Sequence, residues 1–200
     1  MYELGGPLDG TEVAPGTNLL LSGPPLSGKT ALGYDILDAG ARRDEGAIIV
    51  SNKHSASRIR TEHSELFGYD VPVGIIDCVT KHQGHGTIAD TEFVQYAASP
   101  EDMTGVGIKF SELLERFHAA GTRQTRSLFV SVSTLLMYAD LQTVFRFLHV
   151  FTTRIEDANT LGLFVVQSEA HDPQTMNTLS QLFDGVIETA ADGTVTENLP

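Results

Sequence analysis

The octapeptide Gly23-Pro24-Pro25-Leu26-Ser27-Gly28-Lys29-Thr30 decides how this 200-residue chain is read. It follows the apolar run Asn18-Leu19-Leu20-Leu21-Ser22 and precedes a segment with helical periodicity, so a strand leads into a tight loop and a helix leads out. All four fixed positions of G-x-x-x-x-G-K-[ST] are filled in the strand-to-helix context that this phosphate-binding loop requires. Gly23 and Gly28 let the backbone wrap an anion without a Cβ in the way. The N–H groups of Gly28, Lys29 and Thr30 are expected to point at phosphate oxygens, with the partial positive charge of the helix N-terminus behind them. Lys29 is expected to reach the β- and γ-phosphates, and the Thr30 hydroxyl to ligate Mg²⁺. Pro24, Pro25, Leu26 and Ser27 form the body of the loop.

Composition narrows the function. Asp and Glu number 26 against 13 Lys and Arg, giving a formal net charge of −13, and only four of the cations are lysines. The acids are scattered, which describes a solvated acidic surface rather than an acidic tail. By analogy, such a balance suits a halophilic archaeal cytoplasm. Binding a nucleic acid needs a basic stripe that releases counterions, and none is visible. The densest basic clusters, Arg42-Arg43, Arg58 with Arg60, and Arg123 with Arg126, are short and fall at expected helix ends or turns. Cys78 is alone, so no internal disulfide can form, and neither a signal peptide nor an apolar run of transmembrane length is visible, which gives a cytoplasmic expectation without membrane insertion.

Two hundred residues fit one α/β domain. Residues 1–16, rich in Gly and Pro, read as an irregular lead-in covering the sheet edge. A helix is expected over Ala31–Ala41, a strand at Ala47–Ser51, a helix from about Ser55 to Leu66 closed by Gly68, and a strand at Val73–Asp77. The chain is irregular from Val79 to Thr104, then enters a helix ending near Ala120. Strands are expected at Ser127–Val132 and Leu161–Gln167, with an amphipathic helix at Leu141–Ala158 between them. A short helix at Thr175–Leu182 and a hairpin turning at Asp192-Gly193 close the chain. Strands alternating with helices give a mostly parallel sheet covered on both faces.

In this order of features the chain resembles the RecA-like ATPases, and within them the KaiC-like branch found widely in archaea. The resemblance rests on the early phosphate loop, the Gly46-Ala-Ile-Ile-Val-Ser strand, the strand ending at Asp77, the Ser127-Leu-Phe-Val-Ser-Val-Ser-Thr-Leu-Leu run and the closing Leu182-Phe-Asp-Gly-Val-Ile. The segment from Ser99 to Glu112 is similar to small haloarchaeal members. The resemblance implies a P-loop fold that binds ATP with Mg²⁺. It also shows what this chain lacks. The carboxylate that orients the attacking water after the second strand is replaced by Lys53 and His54, of which only neutral His54 can accept a proton. The place of the Mg²⁺-holding aspartate falls on Ser131, whose hydroxyl supplies no charge, so affinity for MgATP should fall. Asp77 also ends an apolar run but lies on another strand, where a capping role competes with a metal role. The basic residue that a neighbouring subunit's C-terminal strands usually present to the γ-phosphate has no counterpart between Asp192 and Pro200.

The leading expectation is therefore a nucleotide-binding regulatory or scaffolding protein that does not turn ATP over, working through a protein partner or a homo-oligomer. Its switch is placed in the loop from His82 to Gly107. The rival is a slow ATPase using Glu169 or His54 as base. A recombinase-like module on DNA is disfavoured by charge. Gln167 is the candidate γ-phosphate sensor, His82 and His85 form a weak H-x-x-H metal candidate, and Phe145, off the main apolar stripe of its helix, is a candidate partner contact.

Overall fold

In the computed structural model, which describes residues 1–84 and 88–200, the chain opens with two antiparallel strands, β1 (Tyr2–Gly5) and β2 (Leu8–Val13). Next come β3 (Asn18–Gly23), α1 (Lys29–Ala41), β4 (Gly46–Ser51), α2 (Ala56–Glu62), β5 (Val73–Asp77) and β6 (Val94–Tyr96). The second half holds α3 (Met103–Ala119), β7 (Thr125–Val130), α4 (Val132–Tyr138), α5 (Leu141–Asp157), β8 (Leu161–Gln167), α6 (Pro173–Ser180), β9 (Gly185–Thr189) and β10 (Val195–Asn198).

Eight strands form one sheet in the order β10-β9-β3-β8-β7-β4-β5-β6. Every pairing is parallel except β9 with β10, which gives the expected parallel sheet with a closing hairpin. Central strands such as β3 and β4 are buried along their whole length, as continuous apolar runs covered on both faces require. Alternate side chains feed two cores. Leu19, Leu21, Ile49, Val130, Val165 and Ile187 pack under α1 and α2, while Leu20, Ile48, Phe129 and Phe164 pack under α3 and α5. In the second core Phe129, Phe151 and Phe164 meet at centroid distances of 5.9–6.1 Å. No helix among the described residues is long and apolar enough to cross a membrane.

Four expectations need correction. The lead-in is a folded hairpin, with Tyr2 and Leu4 fully buried against the α1 core. Gly6 has φ +61°, which lets the turn reverse between β1 and β2. The fourth parallel strand ends at Val130 rather than Val132, because Ser131 caps an extra helix, α4, by accepting from the Thr134 N–H. A three-residue edge strand, β6, interrupts the irregular stretch after Val79. Arg126 is no surface cation at a turn: it lies inside β7, wholly buried.

Arg126 joins three elements. Its Nε and Nη2 donate to the Glu45 carboxylate at 2.6 and 3.1 Å, Nη1 to the Ile36 carbonyl, and Nη2 also to the Glu3 carbonyl, so the hairpin, α1 and β7 share one cation. The hydroxyl of Tyr2 donates to the Asn159 carbonyl and accepts from the Thr125 N–H.

Removing one partner of a buried ion pair strands the other charge. Arg126→Met is expected to cost about 3–5 kcal/mol in urea denaturation, and replacing Glu45 and Arg126 together by apolar residues is expected to cost less. The His63 ring stacks on Tyr34 at 3.4 Å. Burial holds its pKa below the usual 6.5, partly offset by Glu62 and Asp35. A histidine that binds its proton less tightly when folded favours the folded state above the unfolded pKa, and this contribution fades as pH falls. Unfolding midpoints are therefore expected to drop between about pH 7.5 and about pH 5.5, and less so in His63→Gln.

Candidate functional site

β3 ends at Gly23 between two parallel neighbours. Gly23 pairs with Gln167 of β8, while Ser22 pairs with Glu188 of β9. Both flanking ladders fix where the chain leaves the sheet, and the loop then turns back into α1. Leu26 has φ 60° and is fully exposed at the tip; Gly28 has φ 87° and is the residue before the helix. The left-handed conformation at Gly28 turns the following amides toward one point, and there only glycine is free of strain.

The first turn of α1 has no side-chain cap, and the N–H groups of Gly28, Lys29 and Thr30 have no hydrogen-bond partner among the described residues. Unpaired donors at a helix start, preceded by glycine, form an anion-binding concavity. Lys29 is 93% buried in side-chain surroundings that hold no carboxylate partner among the described residues, and its Nζ donates to the Pro24 carbonyl at 2.7 Å. Burial lowers its pKa, and the charge of Lys53 adds to that. The loop is braced from β9: Ser27 Oγ and Thr189 Oγ1 lie 2.6 Å apart, and Thr189 Oγ1 reaches the Ser22 carbonyl.

The remaining candidates fall at the same, C-terminal edge of the sheet, where ligands bind in open α/β folds. Gln167 ends β8 beside Gly23, and its N–H donates to Ser133 Oγ, which also bonds His171 Nε2 at 2.8 Å. Glu169 lies exposed in the short turn Ser168–Ala170 that follows. His54 follows β4, half-buried, its pKa lowered by burial and by Arg58 and Lys53, so it is neutral at pH 7. Ser131 spends its hydroxyl on Thr134, and its backbone is clamped to the Asn52 side chain, whose Oδ1 accepts from the Ser131 N–H and whose Nδ2 donates to the Ser131 carbonyl.

Asp77 is wholly buried. Its two oxygens accept from the N–H groups of Ala56, Val79 and Thr80 and from the Thr80 hydroxyl, at 2.6–2.9 Å. Four donors on one carboxylate tie the start of α2 to the end of β5. No acceptor is left over for a metal, so Asp77 is a structural cap. His82 is exposed in a turn, edge-on to Tyr138, and His85 lies outside the described residues. Among the described residues no group of three or more His, Cys, Asp and Glu could hold a metal ion. Part of the expected switch loop, Met103–Gly107, is the first turn of α3, capped by Asp102.

Sequence reasoning missed Thr189, Ser133 and the Asn52 clamp. Each is a single hydroxyl or amide in an unremarkable run, brought to the loop only by strand order. It also gave no sign of a groove of about 700 Å³ between α3 and α5, lined by Met103, Ile108, Phe147 and Val150 and by no residue of the phosphate loop. A smaller space of about 270 Å³, bordered by Gly23, Pro24, Ser168 and Thr189, adjoins the loop itself. Phe145 is half-buried and lines a third recess with Thr178 and Gln181.

A Cβ on Gly23 would lie 2.5 Å from both the Ser27 Oγ and the Thr189 carbonyl oxygen. Gly23→Ala is therefore expected to destabilise the protein by about 1–3 kcal/mol in urea denaturation, because the loop must move off β9.

Comparison with known proteins bears on the fold. Residues 16–189 match a family of unknown function, DUF7504, and the chain belongs to it. No curated protein matches. A KaiC-like protein of the hyperthermophilic archaeon Pyrococcus horikoshii superposes with a TM-score of 0.58 at 16% identity, over 92% of this chain and 76% of that one. An uncharacterized protein of the same organism, solved in complex with an unknown peptide, gives 0.64 at 15% identity, over 94% and 84%. At such identities the likeness concerns the fold, which is the RecA-like one of the KaiC-like proteins.

Proposed function

We propose that this member of the DUF7504 family binds a nucleoside triphosphate, ATP in the first instance, at the loop from Gly23 to Thr30, and acts as a regulatory or scaffolding protein rather than as an efficient ATPase. One observation carries the reading: three unpaired amides and a lysine with no carboxylate partner among the described residues, its stem buried and its Nζ held only by the Pro24 carbonyl, lie together at the start of α1. Burying a lysine without an anion is costly, and a bound phosphate supplies the missing charge. Thr30 is the residue to touch a Mg²⁺ that arrives with the nucleotide, and Gln167 is the polar group nearest in strand order to read the γ-phosphate.

The degenerate part of the proposal rests on what surrounds that loop. Asp77 has its oxygens filled by four donors, and Ser131, engaged in capping α4, offers a metal at most an uncharged hydroxyl. His54 and Glu169 are the residual bases of a slow-turnover alternative. A homo-oligomer or a protein partner is proposed to read the nucleotide state, and the acidic surface suits a cytoplasm rich in salt.

Isothermal titration calorimetry with ATP, in the KCl concentration that keeps the protein folded, is expected to give a binding isotherm. Lys29→Ala is expected to weaken it by about tenfold or more, roughly 1.4 kcal/mol. Absence of heat with every nucleoside triphosphate tried would remove the proposal, and phosphate release abolished by Lys29→Ala would favour the slow ATPase instead.

A further inference from the structure

The groove between α3 and α5 has an aromatic floor that the core holds in place. The rings of Phe147 and Phe151 lie 5.4 Å apart, Phe151 meets Phe110 of α3 at 4.6 Å, and Phe147 lies 6.1 Å from Phe129 of β7. The walls are apolar and open to solvent: Ile108 of α3 is 55% exposed and Val150 of α5 is 57% exposed. Exposed branched side chains above an ordered aromatic floor form a patch whose covering releases water from apolar surface.

Charge sets the chemistry of what covers it. In a chain with twice as many acids as bases, α5 carries no carboxylate before Glu156, while Arg146 and Arg154 both border the groove. Neither has an ion-pair partner among the described residues. Arg154 is half-buried, and Gly107 makes the room for it: a Cβ there would lie 3.0 Å from Arg154 Nη1, which donates to the Gly107 carbonyl. A guanidinium withdrawn from water with one neutral acceptor and no carboxylate is short of an anion. Arg146 stands exposed eight residues earlier, about 12 Å along the helix axis, with Phe147, Val150 and Phe151 between the two. Of the acids that border the groove, Asp102 is spent on the N–H groups of Ala98 and Gly105, and Glu101 is exposed next to the Met103 end.

We propose that this groove receives an acidic amphipathic helix of a partner protein, whose apolar stripe lies on Ile108, Phe147 and Val150 and whose carboxylates, seven or eight residues apart, pair with Arg146 and Arg154. A rod laid between two helices is the shape that such a space admits, and two turns of helix match the spacing of the arginines. A second copy of this chain would bring, across a two-fold axis, another groove rather than a ridge to fill this one. In molar salt the Debye length is about 3 Å, so the net negative charge of the chain does not repel an acidic partner, while ion pairs in contact still set its register. The partner role proposed above thereby gains a surface. No groove residue belongs to the phosphate loop, so helix binding and nucleotide binding are measured separately and fail separately.

The test is selection from a display library of helix-forming peptides, with acidic, basic, neutral and apolar residues allowed at every varied position, against the full chain in KCl at which circular dichroism shows it folded. Enriched peptides are expected to carry carboxylates seven or eight positions apart around an apolar stripe, and to bind saturably in fluorescence anisotropy. Val150→Asp is expected to weaken them by about tenfold or more, with Ile108→Asp on the opposite wall as the second variant. Arg146→Glu is expected to weaken them by about threefold or more, and to gain affinity for a peptide in which the facing carboxylate is replaced by lysine. Enrichment of no peptide, enriched peptides without acids, or peptides that bind folded Val150→Asp and Arg146→Glu proteins as tightly as the wild type would overturn the inference. A wild-type dimer that Val150→Asp dissociates in sedimentation would overturn it too, by giving the groove to a second copy.

Discussion

The site depends on a single constraint, the pairing of β3 with a parallel strand on each side. A strand at a sheet edge can slip or bend, whereas one hydrogen-bonded along both margins ends where its neighbours dictate. β8 and β9 hold β3 in this way, so Gly23 emerges at a fixed height beside Gln167 and against Thr189. Everything that the phosphate loop does afterwards, including the turn at Gly28 and the aim of the α1 amides, follows from that exit point.

Much of this was legible before any coordinates. The octapeptide and its flanks gave the strand, the loop and the helix, because close backbone approach to an anion demands specific residues at specific spacing. Long apolar runs such as Leu161–Gln167 and the stripe of Val144, Leu148 and Phe151 were equally readable, since burial leaves a period in the sequence. The misses share a physical cause. Residues 1–16 lack a period because a short hairpin buries Tyr2 and Leu4 while exposing its turn, and glycines obscure the alternation. The strand expected to reach Val132 stops at Val130 because Ser131 caps α4, and a hydroxyl that stops a strand looks like any other serine. Arg126 looks like a surface cation because nothing local announces Glu45, 81 residues away.

Within the site, the sequence located the groups but not their commitments. Asp77 and Ser131 were candidates for metal chemistry by position; Asp77 spends its acceptors on the start of α2 and the turn after β5, and Ser131 caps α4. Such commitments depend on which elements meet at the sheet edge, and strand order is not written into any one segment.

The N-terminal hairpin carries a consequence for the order in which the molecule is assembled. Tyr2 is bound by groups 123 and 157 residues further on, at Thr125 and Asn159, and Glu3 accepts from Arg126. The hairpin must therefore wait, undocked, until the chain as far as Asn159 has been synthesised. Until it docks, Arg126 and Glu45 lack one wall of their enclosure, which makes the hairpin a clasp that closes late in biosynthesis.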